Sequence, residues 1–348
     1  MNTTISSVID RHRRRLGDRL AILAHHYQHD DIVRHADHVG DSLELSRKIA
    51  DLTAEYIVFC GVFFMAETAA ILAAPGQKVL IPDAKAACVM SDMAPHELVA
   101  VISRNLRSTG RTVVPLTYVN SSARVKAVCG RLGGSVCTSA NADTMLAWAL
   151  GQGDGVLFLP DRMLGANTCD RLGIPPEKRH ILDIRRHGAL IDHQAAAAAD
   201  VLLWPGRCVI HDKFTAERIR AVRLEHPGAL VAVHPECPPE TVAAADAAGS
   251  TSFLIRYVEN APKGATIFIG TEENLVLRLA QRHAGEKTIL PLRTSRCSNM
   301  AKITEEKLAA QLADIESQQP VAVPDEVREP AKTAVTRMLD VCAKRMNP

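Results

Sequence analysis

VLLWPGRCVIH, residues 201–211, is an apolar run that stops abruptly at Arg207 and Cys208. A second run, ALVAVHPEC (229–237), stops in the same way at His234. Between them Phe214, Ile219 and Val222 recur at helical spacing. Strand, helix, strand reads as a βαβ unit whose two parallel strands end on the same edge. Open parallel sheets bind ligands at that carboxyl edge. Here it carries Cys208, His211, His234 and Glu236, the makings of a reaction site or a metal site.

Outward from this stretch the same alternation recurs. LAILAHHYQH (20–29) reads as a buried strand, and Gly40-Asp41-Ser42 caps a helix through Leu43, Leu45 and Ile49. YIVFCGV, helix FMAETAAILA and strand KVLIPD complete a first round, which runs on to Cys88. A second comprises TVVPLTYVN (112–120), helix SSARVKAVC, SVCTSAN (135–141) and GVLFLPD, then a polar, Ala-rich insertion near 177–200 before Cys208. A third comprises ALVAVHPEC, helix ETVAAADAA, ATIFIGTE and KTILPL, and ends at Cys297. The interval from His25 to Cys88 equals that from His234 to Cys297. That from Tyr118 to Cys208 is longer by about the length of the insertion. Each round opens with a polar pair two residues apart at a strand end, His25/Tyr27, Tyr118/Asn120 and His234/Glu236, which strand geometry turns to one side.

The expected fold is α/β: three similar α/β/α domains with parallel sheets about a pseudo-threefold axis and the site at their junction. The domains would span 1–109, 110–224 and 225–302, with C-terminal helices over 303–348 broken by a Pro-rich stretch at 320–330 and packed on the body.

Composition narrows the function. A net charge of +2 makes no case for nucleic acid or acidic membranes, and 4% aromatics argues against base-stacking platforms. No run approaches the roughly 20 apolar residues of a membrane span, and the N-terminus lacks the apolar core of a signal peptide, so a cytoplasmic protein is expected. Its nine cysteines are then reduced, and without a Cys-x-x-Cys any metal site is assembled from distant segments.

Cys88, Cys208 and Cys297, at equivalent points of three repeats, would converge near the axis. Three thiolates suit a zinc ion with an open position, or a [4Fe-4S] cluster with one iron free of cysteine. Either presents a Lewis acid able to hold a substrate oxygen and help water leave. Around it would stand the three strand-end pairs, and the hydroxyls of Ser42, Ser139, Ser250 and Thr251 at helix N-termini, where carboxylate and phosphate bind.

Longer motifs then carry a resemblance. LAHHYQ (23–28), HVGDSLELS (38–46), CGVFFMAETAAIL (60–72), PDAKAACVMSDM (82–93), TYVNSSARVKA (117–127) and CTSAN (137–141) are followed by FLPDRMLGAN (158–167), WPGRCVIH (204–211), HPEC (234–237), GSTSF (249–253), IGTE (269–272) and CSNM (297–300). In this order, over about residues 17–315, the chain resembles the quinolinate synthases, iron–sulfur enzymes of bacterial-type NAD biosynthesis. The resemblance implies a three-domain fold with a 4Fe–4S cluster held by Cys88, Cys208 and Cys297 at the junction. It implies condensation of iminoaspartate with dihydroxyacetone phosphate to quinolinate, phosphate and two waters, with functional coupling to an L-aspartate oxidase. It makes Glu236 the acid or base, with His234 beside it, and gives His25 and Tyr27 substrate binding and the proton transfers of triose isomerisation. Tyr118 and Asn120 would position intermediates, His211 would line the pocket, and Ser42, Ser139, Ser250 and Thr251 would hold carboxylates and phosphate. Phe63 stands where many members have His, and Cys297 stands without the CxxCxxC run of some members.

Plainer readings cover the rest. Cys60, Cys129, Cys169 and Cys342 read as core positions, and Cys137 and Cys237 as packing within site motifs. His12, His35, His38, His180, His187 and His193 sit in charged surroundings, and Glu67 reads as a first-turn helix carboxylate. Met65, Met90, Met93 and Met300 read as packing around a cluster. The rival functions are a zinc-dependent hydro-lyase or aldolase using the same thiolates, and a non-catalytic iron–sulfur sensor of a dicarboxylate.

Overall fold

A computed structural model describes residues 4–108 and 110–346. Three parallel sheets organise the chain. The first contains β1 (Leu20–His25), β2 (His38–Gly40), β3 (Tyr56–Cys60) and β4 (Lys78–Leu80). Its helices are α1 (Ile5–Leu16), α2 (Asp30–Val33), α3 (Ser42–Asp51), α4 (Phe63–Leu72) and α5 (Val89–Asp92). The second contains β5 (Val113–Tyr118), β6 (Ser135–Cys137), β7 (Gly155–Leu159), β8 (Arg179–Ile181) and β9 (Val201–Leu203), with α6 (His96–Arg107), α7 (Ala123–Arg131), α8 (Ala142–Leu150), α9 (Arg162–Arg171) and α10 (His193–Ala198); α6 packs on β5 and α7. The third contains β10 (Leu230–Val233), β11 (Ala247–Ala248), β12 (Thr266–Gly270) and β13 (Thr288–Pro291), with α11 (Ala216–Glu225), whose Ile219 and Val222 pack on this sheet, and α12 (Pro239–Ala244), α13 (Thr251–Asn260) and α14 (Glu273–Arg282). Two helices follow, α15 (Glu305–Ala313) and α16 (Asp325–Met346).

The repeat is visible in the strand orders: β2-β1-β3-β4, β6-β5-β7-β9-β8 and β11-β10-β12-β13. The insertion near 177–200 therefore has a structural role, since it supplies β8 and α10 and extends the middle sheet by one strand. Central strands β1, β3, β5 and β7 are buried at every residue, as sheets covered by helices on both faces require.

Hydrogen bonds repeat as well. Asp37, just before β2, accepts from Ile22 N at 2.7 Å and donates its own N–H to Ile22 O at 2.8 Å. Asp246, just before β11, does the same to Val231, at 2.7 and 2.9 Å. Register puts Pro115 and Gly134 at the matching places of the middle sheet. Pro115 has no N–H for an aspartate to accept, and a Cβ on Gly134 would lie 1.9 Å from Pro115 O.

Several expectations are corrected. The two strands flanking α11 do not share a sheet: both edges of β9 are taken, by β7 and β8, so β10 starts the third sheet beside β11 and β12. ETVAAADAA does not stay helical, because Asp246 turns back onto Val231 and the chain continues as β11. The Pro-rich break ends earlier than its last proline, and Pro330 lies inside the 22-residue α16. That helix crosses α7 so closely that a Cβ on Gly130 would lie 1.9 Å from Pro330 O. The expected boundary between the first two units falls at residue 109, outside the described residues.

One apolar core joins the first two units with α15 and α16, whereas the third sheet has a separate cluster on each face. No helix among the described residues is long and apolar enough to cross a membrane.

Candidate active site

The carboxyl ends of β1, β5 and β10 open into one cavity at the meeting of the three sheets. Pairing register makes His25, Tyr118 and His234 equivalent, and with them Tyr27, Asn120 and Glu236, all of which line the cavity. Tyr27, Asn120 and the His234–Glu236 pair lie beyond the last strand residues, so strand alternation does not orient them. Tight turns do. Tyr27 N donates to His25 Nδ1 at 3.1 Å, and Glu236 N donates to His234 Nδ1 at 3.3 Å. With Nδ1 accepting, each neutral ring carries its proton on Nε2. Burial pulls both imidazoles down to about 3, so both are neutral donors at neutral pH.

His211 is turned the other way. Its Nδ1 donates to Glu236 Oε2 at 2.8 Å, and its Nε2 lies 3.2 Å from the hydroxyl of Thr271 and 3.4 Å from that of Tyr27. Tyr27 and Thr271 are themselves 2.7 Å apart, hydroxyl to hydroxyl. Tyr118 donates to the other oxygen of Glu236, and His211 stacks on His234 with centroids 4.4 Å apart. A continuous hydrogen-bonded path thus runs from Tyr27 through Thr271 and His211 to Glu236 and Tyr118. Burial would push Glu236 up, but His211, then His234 and Tyr118, outweigh it and hold the carboxyl below its usual range. Burial, then the charge of Glu236, push nearby Asp161 up, so Glu236 is the carboxylate of the two. Burial keeps both phenols protonated well above their ordinary range.

Ser42, Ser139 and Thr251 form a second equivalent set, and all three line the cavity. Ser42 opens α3 behind a capping box in which Asp41 accepts from Leu43 N and Glu44 N, both at 3.0 Å, while Glu44 accepts from Asp41 N. Ser250 takes the place equivalent to Asp41: its hydroxyl caps α13 by accepting from Phe253 N at 3.3 Å and does not line the cavity. The next residue, Thr251, is buried with an unpartnered Oγ1, a free donor at a helix N-terminus.

The third set is Cys88, Cys208 and Cys297. All three line the cavity and are half-buried, whereas the other six cysteines are buried. Backbone N–H groups two or three residues ahead face each sulfur: those of Ser91 and Met90 for Cys88, His211 for Cys208, and Met300 and Asn299 for Cys297. Burial pushes all three thiols above their ordinary range, Cys88 to about 12, and these N–H groups oppose it; they are a donor set suited to a metal–sulfur centre. Cys208, His211 and Glu236 also form a group whose ligand atoms lie within 4.8 Å of one another. Met65, Met90 and Met300 line the cavity; Met93 instead accepts from Trp204 Nε1 through its carbonyl.

Four residues here escape a reading from sequence. Asn167 Nδ2 donates to Pro235 O and Cys237 O, both at 2.8 Å, and so grips the turn on either side of Glu236. Lys126 is fully buried; its ammonium donates to Val119 O and Ser121 O around Asn120, and burial pulls it down to about 8. Thr271 and Glu272 follow β12, and Glu272 accepts from Cys297 N at 3.3 Å. Their motifs are visible, in ARVKA, LGAN and IGTE, but nothing in those motifs shows which groups they hold. Glu67 is not a first-turn residue: it sits in mid-α4 and accepts from Ala123 N at 3.1 Å. His35 is buried against Glu305, 2.7 Å away, rather than solvated.

The family model described as NadA, quinolinate synthetase A protein, matches residues 8–340. A quinolinate synthase of Halalkalibacterium halodurans is 44% identical over 95% of this chain and 92% of its own length. Those of Acidobacterium capsulatum, at 43% over 94% and 91%, and Streptomyces coelicolor, at 44% over 94% and 86%, are similar. With a match of this extent, and a cavity in which three half-buried cysteines meet a buried acid–base path, the chain is an enzyme and belongs to the quinolinate synthase family.

Proposed function

We propose that the enzyme condenses iminoaspartate with dihydroxyacetone phosphate, releasing phosphate and two waters to give quinolinate, in the cytoplasm and supplied by an L-aspartate oxidase. The observation that carries the reading is the convergence of Cys88, Cys208 and Cys297 on the cavity that holds the Tyr27–Thr271–His211–Glu236–Tyr118 path. A 4Fe–4S cluster on these thiolates would supply a Lewis acid through its one iron without cysteine.

The chain's own groups divide the remaining work. Glu236, the ionised member of its pair, accepts the proton that leaves carbon and returns it to a departing hydroxyl. Tyr27, protonated and linked to His211 through Thr271, relays a proton during isomerisation of the triose. His25 and His234 stay neutral and donate from Nε2 to substrate oxygens. Tyr118 holds Glu236, and Asn120 positions intermediates from the strand end that Lys126 fixes. Thr251, Ser42 and Ser139 donate to carboxylate and phosphate oxygens, with Ser250 fixing the helix end that presents Thr251.

The group Cys208, His211 and Glu236 favours a second reading, a mononuclear zinc hydro-lyase or aldolase. Protein purified without air separates the two. A broad absorption near roughly 400 nm, about four irons and four sulfides per chain, and quinolinate from the two substrates are expected. A colourless protein with about one zinc and no quinolinate would overturn the proposal.

A further inference from the structure

Tyr27 belongs to the first sheet's unit, and His25 of that unit holds its N–H, yet the side chains that hold its carbonyl and its hydroxyl come from the third. His26, Tyr27 and Gln28 leave β1 as a turn whose three successive carbonyls all point at α14. Arg278 Nη1 donates to His26 O at 2.9 Å, Asn274 Nδ2 donates to Tyr27 O at 3.0 Å, and Arg278 Nη2 donates to Gln28 O. The Nε of Arg278 closes the grip on Asp30, and the guanidinium side chain is only 11% exposed. Asn274 is oriented in turn by Glu272, which accepts from its N–H at 2.7 Å and from its amide at 3.2 Å. The same Glu272 accepts from Cys297 N, and neighbouring Thr271 holds the Tyr27 hydroxyl. One short segment, 271–278, therefore fixes the backbone of the Tyr27 turn, its phenol, and the backbone of one cysteine of the cavity.

We infer that Arg278 and Asn274 are positioning residues: α14 latches the Tyr27 turn across the unit boundary and sets where the phenol stands relative to Cys297. Neither side chain lines the cavity, so they act through Tyr27 and not on substrate. An arginine is required at 278, because its planar fork reaches three acceptors at once and a lysine cannot. The kinetic part of the inference rests on the function proposed above; the structural part does not.

Two measurements on the full-length protein test it. In Arg278→Ala, amide hydrogen exchange over residues 25–30 is expected to quicken about tenfold or more, while β3 and β12 stay as protected as in the parent. In quinolinate synthesis, kcat falls about 10- to 100-fold with KM within about threefold, and added guanidinium ion restores part of the loss. Adding Arg278→Ala to Tyr27→Phe then costs less than about a further threefold, since both act through one phenol. Asn274→Ser, a milder change, shows the same pattern at smaller amplitude and serves if the first variant does not fold. Unchanged exchange at 25–30 would overturn the latch whatever the kinetics. Losses that multiply fully with Tyr27→Phe would overturn its action through Tyr27. Faster exchange in a protein whose parent makes no quinolinate would uphold the latch and refute the proposed function instead.

Discussion

Asn167 gives the sharpest test of how the site is held. It is 2% exposed on α9, and its amide makes two 2.8 Å bonds to the carbonyls of Pro235 and Cys237, the residues on either side of Glu236. Truncation to alanine removes both donors at once. A buried acceptor left unpaired costs about 1–3 kcal/mol, which sets about 2–6 kcal/mol for two. A water admitted to the vacated space would recover part of this, so the lower end, about 2–3 kcal/mol, is expected in urea unfolding under anaerobic conditions. Because the turn carries Glu236, kcat for quinolinate should fall about 10- to 100-fold, with metal content per chain unchanged. Asn167→Asp discriminates further. It keeps the shape but sets a carboxylate against two carbonyl oxygens, so it should be worse than alanine in both measurements. An alanine variant within about 0.5 kcal/mol of the parent and with parental kcat would refute the reasoning, as would an aspartate variant that outperforms alanine.

Two other outcomes follow from the same geometry. Cys208→Ser should keep the fold but lose the absorption near roughly 400 nm and all activity, whereas Cys237→Ser, at a thiol buried in an apolar cluster, should keep both; a fully active, iron-loaded Cys208→Ser would remove that residue from the ligand set. His25, held down at about 3 when folded against an ordinary value of 6.5, binds a proton in the unfolded chain first, so its contribution is intact above about pH 6.5 and is lost as the pH falls, at about 1.4 kcal/mol per unit. Glu272, pushed up to about 7 by burial, acts with the opposite sign over about pH 4.5–7, so the readout is a difference: the stability of the parent relative to His25→Asn should fall by about 1 kcal/mol between pH 6.5 and 5.5, and a difference that stays constant would contradict a buried neutral His25.

The architecture was legible because each unit is a local pattern. LAILAH, VVPLTY and LVAV are apolar runs ending at polar groups, and those runs are β1, β5 and β10. What local pattern could not settle is which sheet a strand joins. The stretch around Cys208 reads as one βαβ unit, yet the inserted β8 fills the second edge of β9 and sends β10 elsewhere. The site divides along the same line. Residues presented by their own strand or helix end, such as His25, Ser42 and Cys88, could be named from the repeat. Asn167, Lys126, Asn274 and Arg278 could not, because their partners are backbone carbonyls, which carry no mark in a sequence.

The departures from symmetry carry the chemistry. Register aligns four sets of three: Asp41, Thr138 and Ser250; Ser42, Ser139 and Thr251; His25, Tyr118 and His234; Tyr27, Asn120 and Glu236. The hydroxyl set is nearly uniform, as suits a site that meets anionic groups from several sides. The last set is not: a phenol, an amide and a carboxylate occupy equivalent places. Three carboxylates facing one buried cavity would repel one another and take up protons, so that which of them stayed ionised would not be fixed. A single one, flanked by His211 and by the Tyr118 phenol that replaces a histidine in the middle unit, stays ionised at a buried position. Tyr118 can do this because it stands where the first and third units place neutral histidines whose Nδ1 atoms are committed to their own turns. Divergence at that one position thus supplies a second donor to Glu236 and lets the charge of the site reside on one residue out of three.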